Sequence, residues 1–169
     1  PHVISYHTLS RLKTIARAGE NEPDIRAEIE RDLMATADAI IASSPGEKEA
    51  MVRLYDAMPG KISVVPCGVD LSLFRPMDRI EARGRLGIND EKVLIYVGRI
   101  EPIKGLELLL RTAAIMDRED GLIIMAVGGD STDGTELDRL KRLTIELGID
   151  DITQFVGLVK QSDLPTYYS

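Results

Sequence analysis

Residues 93–105 read Val-Leu-Ile-Tyr-Val-Gly-Arg-Ile-Glu-Pro-Ile-Lys-Gly, and the fold prediction depends on this stretch. Its first five residues are apolar, branched or aromatic, which predicts a strand buried on both faces. Gly98 ends the run and lets the backbone turn where a side chain would crowd a ligand. From Leu106 onward, apolar residues recur at helical spacing and predict a helix. A buried strand, a glycine and a helix in this order are typical of a parallel α/β sheet.

Two cations, Arg99 and Lys104, lie on either side of the short loop in this stretch. A helix start contributes backbone N–H groups and the positive end of a dipole, which favour an anion. The stretch therefore predicts a phosphate or diphosphate site, although two cations near a helix start can also be simply solvated. It is not a P-loop, because Lys104 is followed by Gly105 rather than by Ser or Thr.

The rest of the chain alternates in the same way between strands and helices. This order predicts a parallel sheet with helices on both faces. Helix 24–37 is expected to bury an apolar face. Ser44 and Ser162 are expected to cap helices, and Ser44 is expected to form a capping box with Glu47. The strands are predicted at 2–6, 39–42, 62–65, 122–127 and 152–156, and the apolar face of helix 24–37 is predicted to consist of Ile25, Ile29, Leu33 and Met34.

Composition narrows the classes of function. The 169 residues carry a formal net charge of −7, which disfavours nucleic-acid binding and gives no support to peripheral membrane contact. The one cysteine, Cys67, allows no internal disulfide and no zinc cluster, and it is expected to be a packed side chain rather than a nucleophile. These features and the absence of a signal peptide or membrane-length run favour a cytoplasmic protein. Both termini are expected to be cut from something longer, and the oligomeric state is open.

Several segments, taken together, resemble glycosyltransferase family 4, whose members are retaining enzymes of the GT-B fold that use nucleotide sugars. The resemblance extends over essentially the whole chain. Within the family it favours the branch of sucrose-phosphate synthases and inositol-phosphate glycosyltransferases. It rests on His7-Thr8-Leu9, Glu22-Pro23 with Arg26, residues 37–44 with Glu47, residues 65–70 with Phe74 and Pro76, and Val97-Gly98-Arg99 with Lys104-Gly105.

The resemblance implies a role for each of these segments. Arg99 and Lys104, beside Gly98, would bind the donor diphosphate and stabilise it as it leaves. His7, which by pattern alone is more typical of a structural hydrogen-bonding residue, would lie at the reacting centre. Thr8 and Arg26 would hold an acceptor phosphate, although Arg26 by pattern alone is a solvated helix residue. The remaining donor contacts would come from Gly68, Val69 and Asp70 at an interdomain hinge and from Leu158 and Val159 near the nucleotide base.

The resemblance also implies an organisation into parts of two Rossmann-like domains. Residues 1–60 would end the acceptor-side domain, 61–76 would form the hinge, and 77–169 would begin the nucleotide-sugar-binding domain. The family's first glycine-rich loop and its acidic E-x7-E motif are not in the sequence, so the chain by itself is expected to be inactive. Neither a metal nor a cofactor is implied. The partners would be a nucleotide sugar, by default a UDP-sugar, and a small-molecule or glycan acceptor.

Two other functions remain open at this point. A non-catalytic nucleotide-binding module could use the same donor site, although the presence of His7, Arg99 and Lys104 argues against a degenerate site. A nucleotide-sugar epimerase of related architecture fits residues 7–9 and 68–70 less well.

Overall fold

The computed structural model describes residues 1–16, 23–116, 121–129 and 134–169. They divide into two compact units, Pro1–Val69 and Asp70–Ser169, each with its own sheet and its own buried core. Within these described ranges, no helix is both long enough and apolar enough to cross a membrane.

The first unit is a parallel three-stranded sheet with helices between its strands. The strands lie in the order β1-β2-β3, so each is hydrogen-bonded to its neighbour in the chain. One further hydrogen bond extends this ladder, from Val65 N to the Ala42 carbonyl oxygen at 2.8 Å. The elements are β1 (Val3–Ser5), α1 (Ser10–Ala16), α2 (Asp24–Thr36), β2 (Ala39–Ala42), α3 (Pro45–Tyr55) and β3 (Ile62–Val64).

Helix α3 begins as its sequence predicts. Ser44 Oγ accepts a hydrogen bond from Glu47 N at 3.1 Å, and Pro45 is the first helical residue. The second half of the expected capping box is different, because Glu47 Oε2 accepts from Ser43 N at 2.5 Å and from Ser43 Oγ at 2.7 Å rather than from Ser44. The hydrogen bonds of this cap therefore include Ser43, the residue before the N-cap.

The predicted apolar face of α2 is wrong in part. Ile25 and Ile29 are 64% and 51% exposed, Leu33 is 36% exposed, and of the four only Met34 is buried. Glu30 is buried in their place at 5% exposure. The helix turns the side that bears Glu30 and Met34 inward because the Glu30 carboxylate has hydrogen-bond donors there, as described below.

The strand predicted at 62–65 belongs to the first sheet, where Ile62 pairs with Ile40 and Val64 with Ala42. Residues 61–64 of the predicted hinge are thus part of a unit that has its own core. The remaining residues of that segment, from Val65 to Pro76, contain a turn at 71–74 and no helix or strand. Their role as a hinge remains a prediction.

The second unit is also a parallel three-stranded sheet, in the order β4-β5-β6. The alternation of strands and helices in both units confirms the predicted α/β class. The elements are α4 (Arg79–Leu86), β4 (Lys92–Val97), α5 (Leu106–Ala114), β5 (Leu122–Val127), α6 (Gly134–Glu146), β6 (Thr153–Gly157) and α7 (Leu164–Tyr168).

Strand β5 is the buried centre of this sheet, with Leu122, Ile124, Met125, Ala126 and Val127 in the core. Residues 93–97 of β4 are only half-buried, so the expectation of a strand buried on both faces is wrong for β4. The reason is its position: among the described strands β4 has one neighbour, β5, whereas β5 has two.

In this unit one helix has the end caps that its residue types favour, and another lacks its predicted N-cap. Asp78 Oδ1 accepts from Glu81 N at 2.9 Å and caps α4, and Gly87 ends that helix in the left-handed conformation with φ of 67°. Ser162 is not an N-cap, because it lies in a 3-10 turn and its Oγ donates to Asp163 Oδ1 at 3.1 Å.

Candidate functional site

The candidate site of the first unit lies at the carboxyl end of β1. His7 and Thr8 follow the strand after one residue, Tyr6, and both are exposed, whereas the next two residues, Leu9 and Ser10, are 1% and 2% exposed. Ligands of open α/β sheets gather outside the carboxyl ends of strands. The two exposed residues are thus held at such an end by the buried pair that follows them.

The structure brings two predicted acceptor residues together. Arg26 lies in the first turn of α2, and its Nη2 donates to the backbone oxygen of Thr8 at 3.2 Å. Its Nε donates to Glu30 Oε1 at 3.0 Å, one turn further along the same helix. Glu30 was not predicted as a site residue, although its i,i+4 spacing from Arg26 is typical of a helical ion pair. Glu22, which the resemblance groups with Pro23 and Arg26, lies outside the described residues.

The candidate site of the second unit is an edge lined by glycines. Gly98, Gly128 and Gly157 lie at the carboxyl ends of β4, β5 and β6. Two hydrogen bonds join these strand ends: Gly98 N donates to Val127 O at 3.0 Å, and Gly128 N donates to Gly157 O at 2.8 Å. The steric demand for glycine is at Gly128 rather than at Gly98. A Cβ on Gly98 would meet the side chain of Tyr96, with the hydroxyl at 3.3 Å, whereas one on Gly128 would lie 2.1 Å from the Gly98 carbonyl oxygen.

A pocket of about 360 Å³ opens at this edge. Leu158, predicted to lie near the nucleotide base, is one of its lining residues and is 80% exposed, whereas the neighbouring Val159 is half-buried and does not line it. Lys141, an exposed cation of α6, lines the pocket and was missed from the sequence because it reads as part of a solvated helix face. The full lining is Ile100, Gly128, Gly129, Leu137, Lys141, Phe155, Gly157 and Leu158.

The segment from this edge into α5 carries the two predicted diphosphate ligands. Arg99 is exposed, and its Nη1 lies 2.8 Å from Glu101 Oε1, so a carboxylate already holds the guanidinium. Lys104 is exposed in a 3-10 turn, Pro102–Lys104, and α5 begins only at Leu106 after Gly105 with φ of 75°. The short loop after Gly98 and the helix that begins at Leu106 agree with the sequence prediction, and the loop contains this 3-10 turn.

The predicted hinge residues lie at the division between the two units. Gly68 and Val69 end the first unit, and Asp70 begins the second; all three are exposed. The Asp70 carboxylate is used locally: Oδ1 accepts from Ser72 Oγ at 2.6 Å and from Ser72 N at 2.9 Å. These hydrogen bonds lower the pKa of Asp70. The side chain thus shapes a turn of its own segment.

Family models match both units of the chain. Residues 78–169 match the model described as glycosyl transferases group 1, and residues 1–73 match the model described as glycosyltransferase family 4. These matches confirm the resemblance predicted from residues 7–9, 65–70 and 97–105.

Known proteins are similar to this chain over nearly all of its length. A D-inositol 3-phosphate glycosyltransferase of Saccharomonospora viridis is 40% identical over 99% of the chain. The structure of sucrose-phosphate synthase from Thermosynechococcus elongatus matches 98% of the chain at 32% identity with a TM-score of 0.83. The structure of Anabaena Alr3699/HepE in complex with UDP and glucose matches 99% of the chain at 19% identity with a TM-score of 0.79, which establishes a shared fold.

The chain spans 41% of the length of the first two of these proteins and 43% of the third. All three matches include both units of the chain, and the predicted GT-B fold class is confirmed by the structural ones.

Proposed function

The chain belongs to the glycosyl transferases group 1 family, and from this premise we propose that the whole protein is a retaining glycosyltransferase. Its donor is a nucleotide-diphosphate sugar, by preference a UDP-sugar, and its acceptor is a polar molecule that carries a phosphate. The observation on which this proposal chiefly rests is the glycine-lined pocket at the carboxyl ends of β4, β5 and β6, with Arg99 and Lys104 in the segment that leaves it.

The pocket suits the base and ribose of a nucleotide. It is lined mainly by glycines and apolar side chains, which let a flat ring approach the backbone closely, and Lys141 adds one cation at its wall. The proposal of UDP rests on the branch of the family to which the sequence is similar. The UDP in the Anabaena structure agrees with it, although that protein shares only the fold.

Arg99 and Lys104 supply the positive charge that the reaction requires. When the bond between the sugar and the diphosphate breaks, negative charge develops on the leaving phosphate oxygen. Fixed cations aimed at that oxygen stabilise the transition state more than the ground state. In this proposal Arg99 exchanges its ion pair with Glu101 for the diphosphate. The residues themselves supply this charge, and no metal or other cofactor is part of the proposal.

The acceptor residues lie in the first unit. His7 is proposed to contact the sugar at the reacting centre, and Thr8 and Arg26 are proposed to bind the acceptor phosphate. The guanidinium of Arg26 is well suited to a phosphate, because it presents several N–H donors in one plane. Its hydrogen bond to the Thr8 oxygen places it beside the segment that carries His7. The name of the Saccharomonospora viridis relative supports a phosphorylated inositol as one candidate acceptor.

A substrate screen of the whole protein tests this proposal. UDP-, GDP- and ADP-sugars are offered with D-inositol 3-phosphate or fructose 6-phosphate, each beside its unphosphorylated form. We expect transfer from a UDP-sugar to a phosphorylated acceptor, with the anomeric configuration of the donor retained in the product. Binding of UDP without transfer to any acceptor would instead favour the non-catalytic module. Residues 1–169 alone are expected to show no transfer, and sugar transfer by this chain would contradict that part.

An Arg26→Ala variant of the whole protein tests the acceptor site. We expect the KM for the phosphorylated acceptor to rise at least tenfold, because hydrogen bonds to a charged group are lost, while the donor KM changes little. Equal effects on both KM values would contradict the assignment of Arg26.

A further inference from the structure

Glu30 is the least expected buried residue of the first unit. It is 5% exposed on α2, whereas Ile25 and Ile29 of the same helix are 64% and 51% exposed. Burial of a carboxylate is costly unless hydrogen bonds and charges compensate it, and apolar side chains on the same helix were available for the inward face. The inward position of Glu30 therefore depends on what its oxygens contact.

Three donors from three different parts of the unit meet at this carboxylate. Ser10 N donates to Oε2 at 3.0 Å and to Oε1 at 3.2 Å. The Nε of Arg26 donates to Oε1 at 3.0 Å, and the Tyr55 hydroxyl donates to Oε2 at 2.6 Å. Both oxygens are thus satisfied, and one side chain joins the start of α1, the start of α2 and the end of α3.

The contact with Ser10 fixes the segment after β1. Ser10 is the first residue of α1, so its N–H has no partner within the helix and points out of the helix N-terminus. A carboxylate is favoured at that position by the helix dipole as well. Since His7 and Thr8 directly precede this residue, Glu30 limits the movement of the backbone that carries them.

The contact with Arg26 fixes the guanidinium. Its Nε is held by Glu30, and its Nη2 is held by the Thr8 carbonyl oxygen at 3.2 Å. Because the guanidinium is planar, two fixed nitrogens determine the orientation of the whole group. The side chain of Arg26 is 35% exposed.

The contact with Tyr55 holds the carboxylate from the core side. Burial, and then the hydrogen bond to Glu30, raise the pKa of Tyr55 to about 12. The hydroxyl therefore keeps its proton and donates to Glu30 throughout the neutral range. It accepts in turn from Arg11 N at 2.8 Å, which anchors the tyrosine to the second residue of α1.

We propose that Glu30 is a positioning residue that sets both the orientation of Arg26 and the place of the His7–Thr8 segment for a phosphorylated acceptor. This inference rests on the proposed function, since it assigns Glu30 a role in the acceptor site described above. Glu30 itself is buried and does not touch the acceptor.

A double-mutant cycle in the whole protein tests the inference. Glu30→Gln keeps the volume of the side chain but removes its charge and one acceptor oxygen. We expect the KM for the phosphorylated acceptor to rise roughly tenfold, with the donor KM unchanged. In the Arg26→Ala background the same substitution should raise the acceptor KM by less than it does in the native protein, because only the part that acts through the His7–Thr8 segment remains. Multiplicative effects of the two substitutions, or equal changes in both KM values, would overturn the inference.

Two further variants separate positioning from general stability. Glu30→Asp keeps the charge but withdraws the carboxylate from Arg26, and it should also raise the acceptor KM; an unchanged value would overturn the inference even if Glu30→Gln fails to fold. Tyr55→Phe is the matched control, because it removes a hydrogen bond to the same carboxylate on the side away from Arg26. It should lower Tm with little change in the acceptor KM, and a rise as large as that of Glu30→Gln would show that a loosened core is the cause.

The result for Arg26→Ala alone distinguishes this inference from the proposed function. If that variant has no selective effect on the phosphorylated acceptor, the proposed acceptor site is wrong. If it has the expected effect but Glu30→Gln and Glu30→Asp do not, only the inference about Glu30 is wrong.

Discussion

Gly128 approaches Gly98 so closely that a Cβ atom on Gly128 would lie 2.1 Å from the Gly98 carbonyl oxygen. The backbone of Gly128 is also in a conformation that side chains rarely adopt, with φ of 117°. Since the two residues follow β4 and β5, this contact sets the spacing of the strand ends that form the floor of the candidate nucleotide pocket.

A Gly128→Ala substitution should strongly destabilise the second unit. The new methyl group would have to displace backbone, which is stiffer than a side chain, and the positive φ adds strain. We expect the free energy of unfolding to fall by about 3 kcal/mol, measured by urea denaturation followed by circular dichroism. Gly84→Ala is the matched control, because Gly84 lies within α4 with open space around it. It should stabilise the protein by about 0.5–1 kcal/mol, and similar losses for both variants would contradict the steric argument.

The ion pair between Arg99 and Glu101 predicts that Glu101 weakens diphosphate binding. The contact of Arg99 Nη1 with Glu101 Oε1, at 2.8 Å, occupies part of the guanidinium that could otherwise contact a diphosphate. Glu101→Gln should therefore tighten the binding of UDP to the whole protein by about two- to fivefold, the range expected for an exposed ion pair. Isothermal titration calorimetry would measure this.

The control for this measurement is Glu146→Gln, which makes the same change in net charge at an exposed position at the end of α6. It should leave the dissociation constant unchanged. Weaker binding after Glu101→Gln would mean that Glu101 orients Arg99 for the ligand instead of competing with it.

Two serines that look alike in the sequence should respond differently to substitution. Ser44 Oγ accepts from Glu47 N at 3.1 Å and caps α3, so Ser44→Ala should cost about 1 kcal/mol of unfolding free energy. Ser162 was predicted to cap a helix, but its hydroxyl contacts only its neighbour, Asp163, among the described residues. Ser162→Ala should therefore change stability by less than about 0.5 kcal/mol. Equal costs in a thermal or urea denaturation series would contradict this distinction.

Local patterns in the sequence predicted the elements well. Strand β2 (Ala39–Ala42) and strand β5 (Leu122–Val127) lie where their apolar runs predict them, and Ser44 caps α3 as predicted. These features depend on neighbours within a few residues, and the sequence contains that information directly. The motifs were also sufficient to identify the family.

Features that depend on residues far apart in the chain were not predicted. Glu30 is buried because Ser10 and Tyr55, 20 and 25 residues away, meet it in space. The family motif predicts that Asp70 contacts the donor, yet its Oδ1 accepts a hydrogen bond from Ser72 Oγ. The need for glycine falls on Gly128, since Gly98 lies beside it only when the strands pair. A pattern of residue types cannot show which side chains are already occupied by one another.

The network that joins α5 to α6 should make stability depend on pH. Glu107, in the first turn of α5, accepts from Arg139 Nη2 at 2.7 Å and from Arg111 Nε at 2.8 Å. Hydrogen bonds from Arg139, and then from Arg111, lower the pKa of Glu107 below its ordinary value of 4.5. Arg139 is shared with Glu136, whose oxygens lie 2.8 Å from it, so the charges of both helices are tied together.

A carboxyl with a lowered pKa in the folded state contributes stability above its unfolded pKa, and that contribution is lost as the pH falls through the folded pKa. The Tm of the native protein should therefore exceed that of Glu107→Gln at pH 7, and the difference should shrink as the pH is lowered below 4.5. Scanning calorimetry of both proteins from neutral to acidic pH measures this difference. In 1 M salt, where the Debye length is about 3 Å, the difference at pH 7 should also decrease. Glu146→Gln should give no such pH-dependent difference, and a constant difference for Glu107→Gln across the range would mean that the side chain stabilises the helices by packing and not by charge.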